Sequence, residues 1–190
     1  MARIISVEGL PGAGKTTIIE MIVHDLEERG VKVGMVDIET TADAPILRPM
    51  TRQYPPGHPS RIMLFWILRL QQYDVMLKMI ENGADVVIAD RYWGSTMAFD
   101  VYGNRLPREV VDWIGRYIVR QPDITLYFEA PLDVVRQRKE STTMKDLEFA
   151  RRVEQGYKLL ANELSWIRID ATEEPEQVRK RCLEIILAAL

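Results

Sequence analysis

Near the amino terminus the residues Gly9-Leu10-Pro11-Gly12-Ala13-Gly14-Lys15-Thr16 follow the pattern G-x-x-x-x-G-K-[ST]. A plain turn between a strand and a helix has a use for glycine but none for Lys-Thr at this offset, so the motif restricts the fold more than any other feature. It demands a strand before it, supplied by Ile4-Ile5-Ser6-Val7, and a helix after it. Glycines let successive backbone N–H groups turn inward around an anion, and the helix that follows adds the positive end of its dipole. Gly9, Gly12, Ala13 and Gly14 are thus the expected cradle for the phosphates of ATP. Lys15 is placed to reach the β and γ phosphates, Thr16 to join the shell of a magnesium ion, and Thr17 to stand near the α phosphate.

The rest of the chain fits that demand. Short β-branched runs at 4–7, 33–36, 86–89, 124–128 and 166–169 alternate with amphipathic stretches at 16–29, 61–82, 108–120, 147–164 and 175–190. This is the pattern of an α/β three-layer sandwich with a five-stranded parallel sheet, the P-loop nucleoside triphosphate hydrolase/kinase fold, and 190 residues fit one domain. Residues 38–60 carry Pro45, Pro49, Pro55, Pro56 and Pro59 and are expected to form a loop with short helical pieces. The polar patch 139–145, flanked by basic residues, falls where a lid could sit, and the lid segment is drawn near 136–147.

Composition narrows the partners. A net charge of −3 argues against broad nucleic-acid or membrane binding and for a small phosphate ester held by locally placed basic groups. Cys182 is the one cysteine, which excludes an internal disulfide, and its apolar run suits a buried helix position. His24 and His58 have no Cys or His partner at metal-ligand spacing, and His24 reads as a surface or packing residue. No room for a signal peptide precedes the motif and no apolar stretch reaches membrane-spanning length, so the expected location is cytoplasmic.

A second signature closes the strand at 86–89: Asp90-Arg91-Tyr92, followed by Ser95-Thr96-Met97-Ala98-Phe99. Ligands of open parallel sheets bind at the carboxyl ends of the strands, so Asp90 and Arg91 should face the same crevice as the glycine-rich loop. An arginine there can compensate charge on a transferring phosphoryl group, and a carboxylate can hold a magnesium-bound water. Phe65 and Arg69, four residues apart, share one helix face and can address one ligand.

With these elements in order, the chain resembles the thymidylate kinase family. Further points of likeness are Pro122-Asp123-Ile124-Thr125-Leu126, Arg136 and Arg138, Asp146-Leu147-Glu148-Phe149 with Arg152-Val153-Glu154-Gln155-Gly156-Tyr157, and Ile169-Asp170-Ala171-Thr172. The resemblance implies that Phe65 stacks on a thymine ring while Arg69 bonds to its edge. It implies that Ser95 and Thr96 lie near the base, that Phe99 closes over the sugar and disfavours a 2′-hydroxyl, and that Tyr157 lines the nucleoside pocket. Arg136 stands near the adenine, Arg138 nearer the phosphates, and Asp170-Ala171-Thr172 at the far wall of the adenine site. Lys15, Arg91 and Arg138 supply positive charge, and Thr16 and Asp90 hold the metal. The implied reaction is dTMP + ATP to dTDP + ADP, in a homodimer packed through the long helices.

The chain also departs from the family pattern. Pro11 stands where members usually carry an aspartate or similar group that helps hold the acceptor's sugar and phosphate. Gly12 replaces the loop arginine of one subgroup, for which basic residues in 136–145 can compensate. A Glu-Pro-Gly-Gly-Thr-like segment is here Glu39-Thr40-Thr41-Ala42-Asp43, in which only Glu39 matches directly, with Arg48 as the equivalent of a phosphate-binding arginine. Two alternatives follow: a deoxynucleoside kinase acting on a 5′-hydroxyl, with Glu39 as base, or a catalytically degenerate nucleotide-binding protein of the same fold.

Overall fold

A computed structural model describes residues 2–117, 119–138 and 145–190. Five strands form one parallel sheet: β1 (Arg3–Gly9), β2 (Val33–Val36), β3 (Val86–Asp90), β4 (Ile124–Glu129) and β5 (Ile167–Asp170), in the order β2-β3-β1-β4-β5. β1 lies at the centre, covered on both faces. Ile4, Ile5 and Val7 are buried there, as are Val86, Val87 and Ile88 of β3, which explains why these strands read as unbroken apolar runs. Each such side chain contributes about 1.5–3 kcal/mol by leaving water. Glu8 interrupts the pattern, for it is a carboxylate with no exposed surface.

The helices are α1 (Lys15–Glu28), α2 (Ala44–Thr51), α3 (Pro59–Glu81), α4 (Trp93–Thr96), α5 (Arg108–Tyr117), α6 (Leu132–Arg138), α7 (Leu147–Glu163) and α8 (Pro175–Leu187). The proline-rich stretch contains a single 3-10 turn, Ile38–Thr40, and α2, as its composition predicts. α3 starts where His58 accepts a hydrogen bond from the Ser60 N–H and Pro59 occupies the first turn. Its inward stripe, Ile62, Trp66, Arg69, Gln72 and Met76, includes two polar residues.

The periodicity misses α4, α6 and a wide turn. α4 continues as π-helix over Met97–Gly103, where tertiary packing governs the backbone: a Cβ added at Gly103 would lie 2.7 Å from the Phe149 ring. α5 and α8 end earlier than predicted, at Tyr117 and Leu187. Cys182 is fully buried, with its thiol pKa pushed up to about 12 by that burial, and His24 lies at the surface beside Glu28. Among the described residues no helix is long and apolar enough to cross a membrane.

Candidate active site

The order of the sheet decides where the site forms. β1 is flanked by β3 and β4, so the chain leaves the centre in both directions and a crevice opens at the carboxyl ends. Gly9 ends β1, and the loop after it runs through left-handed backbone at Gly12 and Gly14 (φ 88° and 80°) into α1. Lys15 is buried and lies back over the loop, its Nζ donating to the Leu10 carbonyl at 3.0 Å. Thr16 Oγ1 donates to Asp90 Oδ2 at 2.6 Å, which ties the start of α1 to the end of β3. Register brings this about, since Val7 pairs with Asp90 across the sheet.

Arg91 follows in a left-handed conformation, φ 69°, that costs a non-glycine residue about 1–2 kcal/mol. Its surroundings over-determine it. The Arg91 N–H donates to the Val7 carbonyl at 3.0 Å, and its own carbonyl accepts from Arg69 Nη1 at 2.5 Å and from Gln72 Nε2 at 2.9 Å. The next N–H, of Tyr92, donates to Glu8 Oε1 at 2.8 Å. Arg91 Nη1 donates to Ser95 Oγ at 3.2 Å and to the Tyr157 hydroxyl at 3.0 Å, and its guanidinium lies 5.7 Å from the centre of the Phe99 ring. Nε and Nη2 have no hydrogen-bond partner among the described residues, which leaves two donor groups for an anion.

The loop and Arg91 open on one cavity of about 710 Å³. Gly12, Gly14, Lys15, Thr16 and Thr17 line it from the glycine-rich loop and the start of α1, together with Asp90, Arg91 and Arg138. Arg48, Phe65, Arg69, Ser95, Thr96 and Phe99 line it too, so one space joins most of the residues expected from the sequence. Phe65 is half-buried and carries a guanidinium on its ring from each of Arg48 and Arg61, at 5.3 and 5.8 Å from the centroid. Burial, and then the neighbouring charge of Arg48, holds the pKa of Arg61 below its usual value.

Several expected residues stand elsewhere. Tyr157 is fully buried and is not among the lining residues; it lies behind Arg91, because α7 packs its buried face on the π-helical segment. Glu39 is also outside the lining: it forms an ion pair with Arg48 at 2.5 Å, which engages the carboxylate proposed as base for a 5′-hydroxyl. Arg136 is exposed on α6 and does not line the cavity, whereas Arg138, two residues on and so on the other side of the helix, does, its Nη1 donating to the Ala171 carbonyl at 2.7 Å. Gly9 and Ala13 lie under the loop rather than on its open side. Lys139 and the rest of 139–144 within the proposed lid lie outside the described residues.

Arg69 has an unexpected setting. It is buried, its Nη1 is bonded to Gln72 Oε1 as well as to the Arg91 carbonyl, and its Nε is buried with no partner. Burial lowers its pKa while the negative charge of Glu8 opposes the shift. Glu8, Gln72, Arg61, Asp100 and Asn104 stand in or beside the site without belonging to any of its sequence motifs. The available signal was polarity inside segments that are otherwise buried: a carboxylate near the end of the β1 run, and a glutamine on the buried stripe of α3.

Known proteins resemble the chain along most of its length. The family model described as thymidylate kinase matches residues 7–182. The chain is 30% identical to a thymidylate kinase of Parasynechococcus marenigrum (strain WH8102), over 96% of this chain and 95% of the relative. It is 27% identical to a thymidylate kinase of Synechococcus sp. (strain RCC307), over 99% of this chain and 97% of the relative, and 28% identical to one of Synechococcus sp. (strain CC9311), over 90% and 89%.

Proposed function

Since the chain belongs to the thymidylate kinase family, we propose that it is a nucleotide kinase that moves the γ-phosphoryl group of ATP to the 5′-phosphate of dTMP, giving dTDP and ADP. The observation that carries this reading is the single cavity that joins the phosphate loop, Asp90 and Arg91 to an aromatic and cationic pocket built on Phe65, Arg48 and Thr96. An acceptor oxygen of dTMP attacks the γ phosphorus, a new P–O bond forms, and the bond to the β–γ bridging oxygen breaks. That acceptor oxygen is already anionic near neutral pH, so no strong base is needed and catalysis rests on alignment and charge compensation. Lys15 lies over the β and γ phosphates, and Arg91, through Nε and Nη2, takes the transferring group. Arg138 adds charge from the opposite wall.

The residues present suit a magnesium ion. Thr16 and Asp90 converge at 2.6 Å on the phosphate end, and no group of three His, Cys, Asp or Glu among the described residues offers a closed protein site. That donor set matches a cation that shares its shell with phosphates and water. Thr16 and Asp90 would hold the ion, which when bound neutralises phosphate charge. Phe65 stacks on the thymine, Phe99 bounds the sugar, Thr96 and the unpartnered Nε side of Arg69 face the base edge, and Arg48 holds the acceptor phosphate. The active form is a homodimer formed through α3.

A coupled assay across the common nucleoside monophosphates, with thymidine alongside, tests the reading. dTMP should turn over fastest and thymidine should not, and Lys15→Ala should abolish turnover. Activity of Lys15→Ala within a few-fold of the parent, or preference for thymidine, would overturn it.

A further inference from the structure

We propose that Glu8 is a positioning residue for Arg91: its buried carboxylate sets the direction of a hydroxyl chain that aims the guanidinium at the transferring phosphoryl group. The inference rests on the kinase reading above. Glu8 Oε1 accepts from Ser6 Oγ at 2.9 Å and from the Tyr92 N–H at 2.8 Å, and Oε2 accepts from Ser95 Oγ at 2.6 Å. A carboxylate has no proton to give, so the only proton of Ser95 points at Glu8. Ser95 Oγ must then accept from the Tyr157 hydroxyl, 2.8 Å away, and the oxygens of both residues turn lone pairs toward Arg91 Nη1. Tyr157 remains a donor at working pH, because burial pushes its pKa up to about 12.

The carboxylate is sealed in. Glu8 has no exposed surface, and the backbone passes over it at Gly94, where an added Cβ would lie 2.9 Å from Glu8 Cδ and Oε1. Glu8 also fixes the peptide after Arg91 through the Tyr92 N–H, so it holds both the strained backbone of Arg91 and its side chain. Glu8 does not line the cavity and acts on the reaction only through Arg91.

Glu8→Gln keeps the shape and inverts the chain. The Tyr92 N–H keeps the amide oxygen, the amide NH₂ faces Ser95, and whichever way the Ser95–Tyr157 bond then runs, one of the two hydroxyl protons is turned toward Arg91. The expected result is a fall in kcat on the order of tenfold to a hundredfold, with the ATP dissociation constant within about twofold of the parent. Tyr157→Phe should lower kcat in the parent but add nothing in the Glu8→Gln chain. Should Glu8→Gln not fold, Ser95→Ala cuts the same chain at its next member and should show the same split. Parental kcat in whichever of these variants folds, losses that multiply with Tyr157→Phe, or equal weakening of ATP binding and turnover would overturn the proposal. A parent chain inactive on every nucleoside monophosphate would instead remove the kinase reading.

Discussion

Asp100 shows how a single residue can carry an unfavourable ionisation inside a working pocket. It is buried in the lining of the cavity, with Oδ2 accepting from the Trp66 indole at 2.6 Å and Oδ1 from the Asn104 amide at 3.0 Å. Burial raises its pKa to about 6 from an ordinary 3.8, against the pull of those two hydrogen bonds. The folded chain therefore holds this proton more tightly than the unfolded chain. Its contribution to stability is full below about pH 4 and is lost as pH rises through 6, a change of about 2–3 kcal/mol. Other carboxylates titrate in the same range, so the quantity to measure is the difference in melting temperature between the parent and Asp100→Asn from pH 4 to 7. The variant should gain on the parent as pH rises; a difference that stays flat across that window would mean that Asp100 ionises without penalty.

At the scale of elements, the contact between α7 and the π-helical segment is set by missing side chains. Gly156 lies in the middle of α7, and a Cβ there would come within 2.7 Å of Tyr102 Cβ and Cγ. Two effects of Gly156→Ala oppose each other. Helix propensity favours alanine by about 1 kcal/mol, while overpacking costs about 1–3 kcal/mol. The crowded atoms sit at the root of Tyr102 rather than at a flexible tip, so overpacking should win. Thermal denaturation should show a fall in melting temperature of a few degrees, and a rise would mean that the two helices can separate at no cost. The same contact keeps Tyr157 beside Arg91, which links the packing of an element to the setting of that guanidinium.

For the whole molecule, the outer face of α3 is one of the apolar surfaces that the fold leaves uncovered. Met63 and Ile67 lie one turn apart and are 46% and 44% exposed, on the same helix whose inner face positions Phe65 and Arg69. A homodimer through this face would bury them and brace the helix that carries Phe65 and Arg69. Sedimentation should find a dimer at micromolar concentration, and Ile67→Asp should shift the population to monomer. A parent chain that sediments as a clean monomer would remove the dimer.

The sequence by itself determined the parts whose physics is local. Short Val and Ile runs bounded by turn residues fit strands covered on both faces, and Gly-x-x-x-x-Gly-Lys-Thr between a strand and a helix fits a loop that opens the helix, so the five strands, the longer helices and that loop were legible. Arg91 and Phe65 were legible too, through spacing and family likeness. What lay beyond reach was everything that depends on which residues meet across the sheet. Val7 pairing with Asp90 brings Glu8 under Arg91, and the packing of α7 turns Tyr157 from a pocket wall into a support. Glu39 and Arg48, nine residues apart, meet only because the segment between them folds back through a 3-10 turn and α2. Local sequence carries the propensity of a residue, but the partner that satisfies a buried charge comes from a distant part of the chain, and only the tertiary structure decides which one it is.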